Sequence, residues 1–176
     1  MKSTLANTAI LVIASSIAAC GGGGGDAAIC QSMAANNSTV TADTGACVSC
    51  TVEAPSSAAD GNFQTAATIS IGAPSASVAV RATAQSGASF PGGQRVGLYW
   101  GKPSDAAYGL TLNTYLGDQL QESIALCGLC GGNNPHSPRY ESATTTEAFD
   151  AVEVVLTSSQ TNAAQAVYEV FEICNN

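Results

Sequence analysis

Charge is scarce in this chain. Only 10% of its 176 residues are Asp, Glu, Lys or Arg, and 5 basic residues face 13 acidic ones. A nucleic-acid surface needs clustered Lys and Arg, so nucleic-acid partners are excluded. Electrostatic adsorption to anionic lipid is excluded with them. His and Trp occur once each. No Gly-x-Ser-x-Gly, Walker or His-Glu-x-x-His pattern is present, and no spacing marks a carboxylate pair for glycosidic cleavage, so the chain reads as no enzyme. Long helical periodicity is missing too. Ala, Ser, Thr and Gly abound instead, a composition that suits an exported β-protein.

The N-terminus has Lys2 as the lone charge before a run of small and apolar residues from Thr8 to Ala19. That run is too short to span a bilayer and has the shape of a secretory signal. It ends Ile17-Ala18-Ala19-Cys20, which resembles a bacterial lipobox. The resemblance implies cleavage before Cys20 and a lipid on that residue. Residues 1–19 are then the signal peptide, residues 20–26 the anchor and Gly-rich tether, and residues 27–176 a single domain large enough to bury a core. Several acyl chains on one Cys give stable membrane anchoring. The expected location is exported, membrane-anchored, at the outer membrane or cell surface.

Seven Cys are present. With Cys20 lipidated, the even remainder reads as three disulfides in an oxidising compartment: Cys30, Cys47, Cys50, Cys127, Cys130 and Cys174. Connectivity is open among them. A second reading takes Cys47, Cys50, Cys127 and Cys130 as four zinc thiolates, across a gap much longer than zinc ribbons use. No βαβ pattern surrounds either Cys-x-x-Cys, so a thioredoxin-like redox pair is disfavoured.

Along the chain, residues 26–46 are polar, small and weakly patterned, and read as a loop-rich lead-in. Period-two alternation then marks strands at 64–71, 77–83, 95–100, 110–116, 119–126, 152–157 and 165–174. Gly117-Asp118 suits a two-residue hairpin turn. Residues 127–142, rich in Gly, Asn and Pro, read as a loop, and the last strand places Val167, Glu169, Phe171 and Ile173 on one face. About seven strands at this spacing predict an all-β fold, two antiparallel sheets packed as a β-sandwich and stapled by disulfides.

The order Ala59-Asp60-Gly61-Asn62-Phe63-Gln64-Thr65 resembles the Ala-x-Asp-Gly-Asn-x-x-Thr opening of discoidin-like domains, which include family 32 carbohydrate-binding modules and coagulation-factor type C domains. Tyr168-Glu169-Val170-Phe171 resembles their last strand. The resemblance implies a jelly roll of the galactose-binding-like fold, with first and last strands tied by a disulfide that Cys174 would share with an N-terminal Cys. Cys47 to Ile173 is also similar to uncharacterised domains of large bacterial surface proteins, through Val96-Gly97-Leu98-Tyr99, Leu110 to Gly117 and Phe149 to Val154.

From the same resemblance comes a structural Ca²⁺ held by Asp60, Asn62, Thr65 and Glu169 or Glu172, hard oxygen donors from a turn and a distant strand. A plain tight turn at Asp60-Gly61-Asn62 is the other reading. The resemblance also places ligands on loops at one end of the sandwich. Trp100, Lys102, Asp105 and Tyr108 lie on one such loop, and Asn133, Asn134, His136, Arg139 and Tyr140 on the other. An aromatic face with planar polar donors is what a sugar requires. Trp100 shares a strand face with Val96 and Leu98, which suits the core instead. The expected function is a lipid-anchored adhesion or carbohydrate-recognition module with a glycan or surface protein as partner; the alternative is a structural subunit of an envelope complex.

Overall fold

The computed structural model describes residues 30–33, 38–85, 87–101, 108–127, 139–158 and 163–174. Eleven strands form there: β1 (Cys30–Ser32), β2 (Thr39–Asp43), β3 (Thr51–Glu53), β4 (Ala67–Ile71), β5 (Ala76–Thr83), β6 (Arg95–Gly101), β7 (Tyr108–Leu116), β8 (Gln119–Cys127), β9 (Arg139–Thr144), β10 (Ala151–Ser158) and β11 (Ala163–Cys174). A short 3-10 helix, Pro55–Ala59, precedes β4. One sheet runs β3-β4-β11-β6-β9, with β1 also on β11; the other runs β2-β5-β10-β7-β8. Every ladder is antiparallel.

Alternation in the sequence becomes alternation in burial. Ile69 and Ile71 of β4, and Val96, Leu98 and Trp100 of β6, face Val78, Val80, Leu112, Val152, Val154 and Leu156 of the opposite sheet, all buried. Each such aliphatic side chain contributes about 1.5–3 kcal/mol by leaving water. Phe149, fully buried, stacks on Phe90 at 5.3 Å between ring centroids. The edge strand β8 is tied down by Glu122, whose carboxylate accepts the backbone N–H groups of Thr146 and Glu147 and the Thr146 hydroxyl.

The hairpin turn at Gly117-Asp118 forms as expected, with Leu116 paired to Gln119 and Gly117 at φ +60°. Primed hairpin turns require a positive φ there, which glycine adopts without strain. Four strands lie outside the expected set. The lead-in contains β1 and β2, β3 follows the Cys47–Cys50 loop, and the Gly, Asn and Pro-rich stretch ends in β9. These strands are short or lie at sheet edges, where small polar residues suffice and no apolar alternation is needed.

The last strand departs most from simple alternation. Its pairing with β6 carries register shifts between Val167 and Glu169 and again between Val170 and Glu172. Val167, Val170 and Ile173 are thereby register partners of the core residues Trp100, Leu98 and Val96. Glu169 and Glu172 are partners of Tyr99 and Gly97. The expected single face of Val167, Glu169, Phe171 and Ile173 is corrected accordingly. A β-bulge inserts a residue and resets which face follows, so period-two counting fails across it.

Cys47 and Cys50 are joined by a disulfide, with Cα atoms 5.4 Å apart. A zinc site of Cys47, Cys50, Cys127 and Cys130 is therefore ruled out, because two of its thiolates are consumed. Cys30 and Cys174 are direct register partners in the β1–β11 ladder. Opposed positions of an antiparallel pair bring Cα atoms within disulfide range. Non-reducing peptide mapping of the exported protein should recover a Cys47–Cys50 loop and a Cys30–Cys174 cross-link, leaving Cys127 and Cys130 for each other. A free thiol at Cys30 or Cys174 would contradict the terminal staple.

Candidate functional site

Three aromatic rings gather on the outer face of the β6–β9 side of the sandwich. Tyr99 of β6 and Tyr140 of β9 are register partners, with ring centroids 5.3 Å apart and tilted by 50°. Phe63 meets Tyr99 edge-on, with centroids 5.2 Å apart and planes at 77°. Both geometries are favourable for aromatic pairs and contribute about 0.5–1.5 kcal/mol each. Yet the outer rings remain open: Phe63 is 41% exposed and Tyr140 36%.

Tyr140 lies across Gly97. A Cβ built on Gly97 would collide with the Tyr140 ring and hydroxyl. Glycine at an outward strand position marks such a close approach. The small residue lets the ring lie down on the sheet and keep a face towards solvent.

Phe63 owes its place to the preceding turn. Asp60 Oδ1 accepts the N–H of Asn62, and Asn62 Oδ1 accepts that of Gln64, at 2.8 and 3.1 Å. The Thr65 hydroxyl lies 2.7 Å from Asp60 Oδ2 and 2.9 Å from the Asn62 carbonyl. These are successive Asx turns, the local bonding that Asp and Asn offer in loops. The tight-turn reading of Asp60-Gly61-Asn62 accounts for the geometry, with Gly61 at φ +76°. As a cation site the loop supplies one carboxylate, both of whose oxygens already accept hydrogen bonds. Calcium takes six to eight oxygens, so donors from elsewhere would have to complete the set. Among the described residues no group of three or more His, Cys, Asp or Glu is placed to hold a metal.

The other expected site residues are dispersed. Trp100 is 3% exposed and packs in the core, so it offers no face to a ligand; its alternation with Val96 and Leu98 decides its fate. Arg139 is the register partner of Trp100, and Tyr140 follows it on β9. Asn133, Asn134, His136, Lys102 and Asp105 lie outside the described residues, as do Cys20 and the Gly tether. Glu169 and Glu172 stand on β11 at the positions paired with Tyr99 and Gly97. Phe63 and Tyr99 were missed by motif reasoning. The signal for Tyr99 was present, since it alternates with the inward Leu98 and Trp100.

The outer face of the second sheet has a different character. Thr41, Arg81, Glu153, Asn113 and Ser123 occupy one register row across its five strands. The Arg81 guanidinium lies 4.0 Å over the Tyr115 ring and donates to the Gly117 carbonyl at 2.9 Å. Glu153 Oε1 accepts from the Tyr115 hydroxyl at 2.8 Å and from Asn113 Nδ2 at 2.9 Å. Asp150 Oδ2 accepts the Gly117 N–H. This network fastens the β7–β8 hairpin to the sheet. A hollow of about 170 Å³ beside it is lined by Thr41, Asp43, Ala79, Arg81 and Glu153.

The fold is the jelly roll of family 32 carbohydrate-binding modules. The chain is similar to chitosan-binding module 1 of a chitosanase/glucanase from Paenibacillus sp. IK-5, at 19% identity over 81% of this chain and 98% of that one, with a TM-score of 0.51. It is similar to CBM32-3 from a family 31 glycoside hydrolase of Clostridium perfringens, at 11% identity over 84% and 95%, TM-score 0.53. It also resembles the enzymatically active domain of tailspike protein 4 of bacteriophage CBA120, at 15% identity over 79% of this chain and 19% of that one, TM-score 0.52. What is shared at these identities is the fold. No protein-family profile and no curated sequence matches the chain.

Burial raises the Tyr115 phenol above its usual 10.0, and the hydrogen bond to Glu153 and its negative charge raise it further, against the opposing pull of Arg81. The fold holds the neutral phenol. Its contribution is therefore complete below the unfolded value and is lost as pH rises through the higher folded value. Tyr115→Phe should cost about 1 kcal/mol at neutral pH by removing one hydrogen bond. It should also flatten the alkaline loss of stability in urea unfolding followed from about pH 8 to about pH 11. An unchanged alkaline slope in the variant would contradict the assignment.

Proposed function

We propose that this chain is a non-catalytic carbohydrate-recognition module, exported and held at the outer membrane or cell surface by a lipid on Cys20. The observation that carries the reading is the ring cluster of Phe63, Tyr99 and Tyr140 over the β6–β9 face, in which the half-buried Tyr99 supports the exposed Phe63 and Tyr140. Sugar rings present an apolar C–H face that stacks on an aromatic face and loses water in doing so. Rings held by a sheet, by each other and by an Asx-turned loop are ordered before the ligand arrives, so little entropy is spent on binding. The name of the Paenibacillus neighbour, a chitosan-binding module, and the family of the Clostridium one are in keeping with this reading. The Gly21–Gly25 tether suits a module that reaches away from the membrane.

A calcium ion at the Asp60 loop is a separate proposal, with Asp60, Asn62, Thr65 and Glu169 or Glu172 as donors. A melting temperature raised by calcium and lowered by EGTA supports it; indifference to both removes it.

A glycan array should give at least one binding polysaccharide class. Tyr140→Ala and Phe63→Ala should each weaken that binding about tenfold or more, as central aromatic contacts do. Their cost in stability should stay within about 1.5 kcal/mol, the worth of one ring pair. If His136→Ala and Arg139→Ala abolish binding while the ring variants do not, the site lies along residues 131–141 and not on the ring row. Silence on the array, with stable association into envelope complexes, favours an assembly subunit. The anchor is read separately by labelling cells with a palmitate analogue: the protein should carry label, and Cys20→Ser should lose it. Unlabelled wild-type protein that stays soluble after lysis would sink the anchor.

A further inference from the structure

A sugar stacks with its C–H face parallel to an aromatic plane, so the angles between the rings restrict the shape of the glycan they hold. We infer that the Phe63–Tyr99–Tyr140 cluster reads a run of two or more sugars in one soluble, twisted polysaccharide chain laid across the strands, and rejects flat crystalline polysaccharide; this rests on the recognition reading above and names its ligand class. The direction of the chain is set by the sheet. Tyr99 and Tyr140 are register partners on the neighbouring strands β6 and β9. Phe63 belongs to the loop that leads into β4, which lies on the opposite side of β6, across β11. The line from Phe63 through Tyr99 to Tyr140 therefore crosses the strands. The half-buried Tyr99 is its middle, and the two exposed rings are its ends. Centroid steps of 5.2 and 5.3 Å carry that line from one end to the other, a reach that sugars of one chain can span. Once one sugar is stacked, the next contact is intramolecular, so two stacking positions favour a run over a single sugar.

The twist of the chain is set by the ring planes. Tyr99 makes 77° with Phe63 and 50° with Tyr140. The planes of the two exposed rings must then differ by no less than the difference of those angles, about 27°. A crystal face of cellulose or chitin presents its sugars in one plane and could lie flat on one of these rings only. A single chain in solution turns from sugar to sugar and offers its C–H faces at different tilts. The rings are kept from swinging into a common plane. Tyr140 lies against Gly97, whose missing Cβ leaves room for the ring. Phe63 follows the Asx turns in which Asp60 accepts from Asn62 and Asn62 from Gln64. The mismatch of planes is thus built in before any ligand arrives.

The test is calorimetry on the intact soluble domain with oligomers graded from one sugar to six. Chitin, cellulose and galactan series are used, joined by a series cut from the polysaccharide that binds best on the array. In every series that binds, affinity should rise about tenfold or more from the monosaccharide to the longer oligomers and then level off. Phe63→Ala and Tyr140→Ala should each remove most of that rise. The monosaccharide, which has the other ring to stack on, should lose no more than about twofold. Crystalline chitin and crystalline cellulose should retain none of the protein in sedimentation. A monosaccharide bound as tightly as a hexasaccharide, an oligomer affinity that ignores either ring variant, or retention on a crystalline polymer overturns the inference while recognition stands. Failure of every series together with a silent array is instead the failure of recognition itself.

Discussion

The ladder between β11 and β6 is the constraint on which the rest depends. β11 is the hub of its sheet, paired with β6 along one edge and with both β4 and β1 along the other. Two register shifts interrupt its pairing with β6, between Val167 and Glu169 and between Val170 and Glu172. They bring Val167, Val170 and Ile173 into register with Trp100, Leu98 and Val96. A slip of one residue would exchange which positions of β11 oppose those of β6. The same ladder ends with Cys174 opposite Cys30, so the strand that organises the sheet is also where the chain's two described ends meet.

The two outer faces differ in character. On the second sheet, polar side chains satisfy one another: Arg81 is held by Tyr115 and the hairpin, and Glu153 by Tyr115 and Asn113. That face is committed to structure. On the first sheet, rings are supported from below and from the side but open above. Gly97 lets Tyr140 lie on the sheet, Tyr99 spans the gap, and an Asx-turned loop delivers Phe63. Exposed aromatic surface costs solubility, and a small acidic protein that keeps such a row in an ordered arrangement has reason to use it.

The parts of the fold legible in the sequence were those where burial alone dictates residue type. The alternation in β4, β5, β7 and β10, and the glycine turn between β7 and β8, followed directly from it. The short strands β1, β2 and β3 and the edge strand β9 were hidden, because a half-solvated strand of Ser, Thr and Ala shows no apolar period. The faces of β11 were misread because bulges are set by tertiary pairing and leave no mark in a local window. Motif reasoning placed Trp100 at the site, although its neighbours Val96 and Leu98 already argued for the core. It credited Tyr140 to a loop, when that residue gains its meaning only from a strand partner, Tyr99, 41 positions earlier. Sequence-distant pairs of this kind are the ones that no single-chain pattern exposes.

The central claim is that ligand is held on the sheet face by the ring row, in place of the loops at the strand ends. Amide chemical-shift mapping with a bound oligosaccharide tests it most directly. The account predicts that the largest perturbations fall on Phe63, Gly97, Tyr99 and Tyr140 and their immediate neighbours on β6 and β9. Perturbations confined to residues 102–107 and 128–138, with the ring row unmoved, would contradict it.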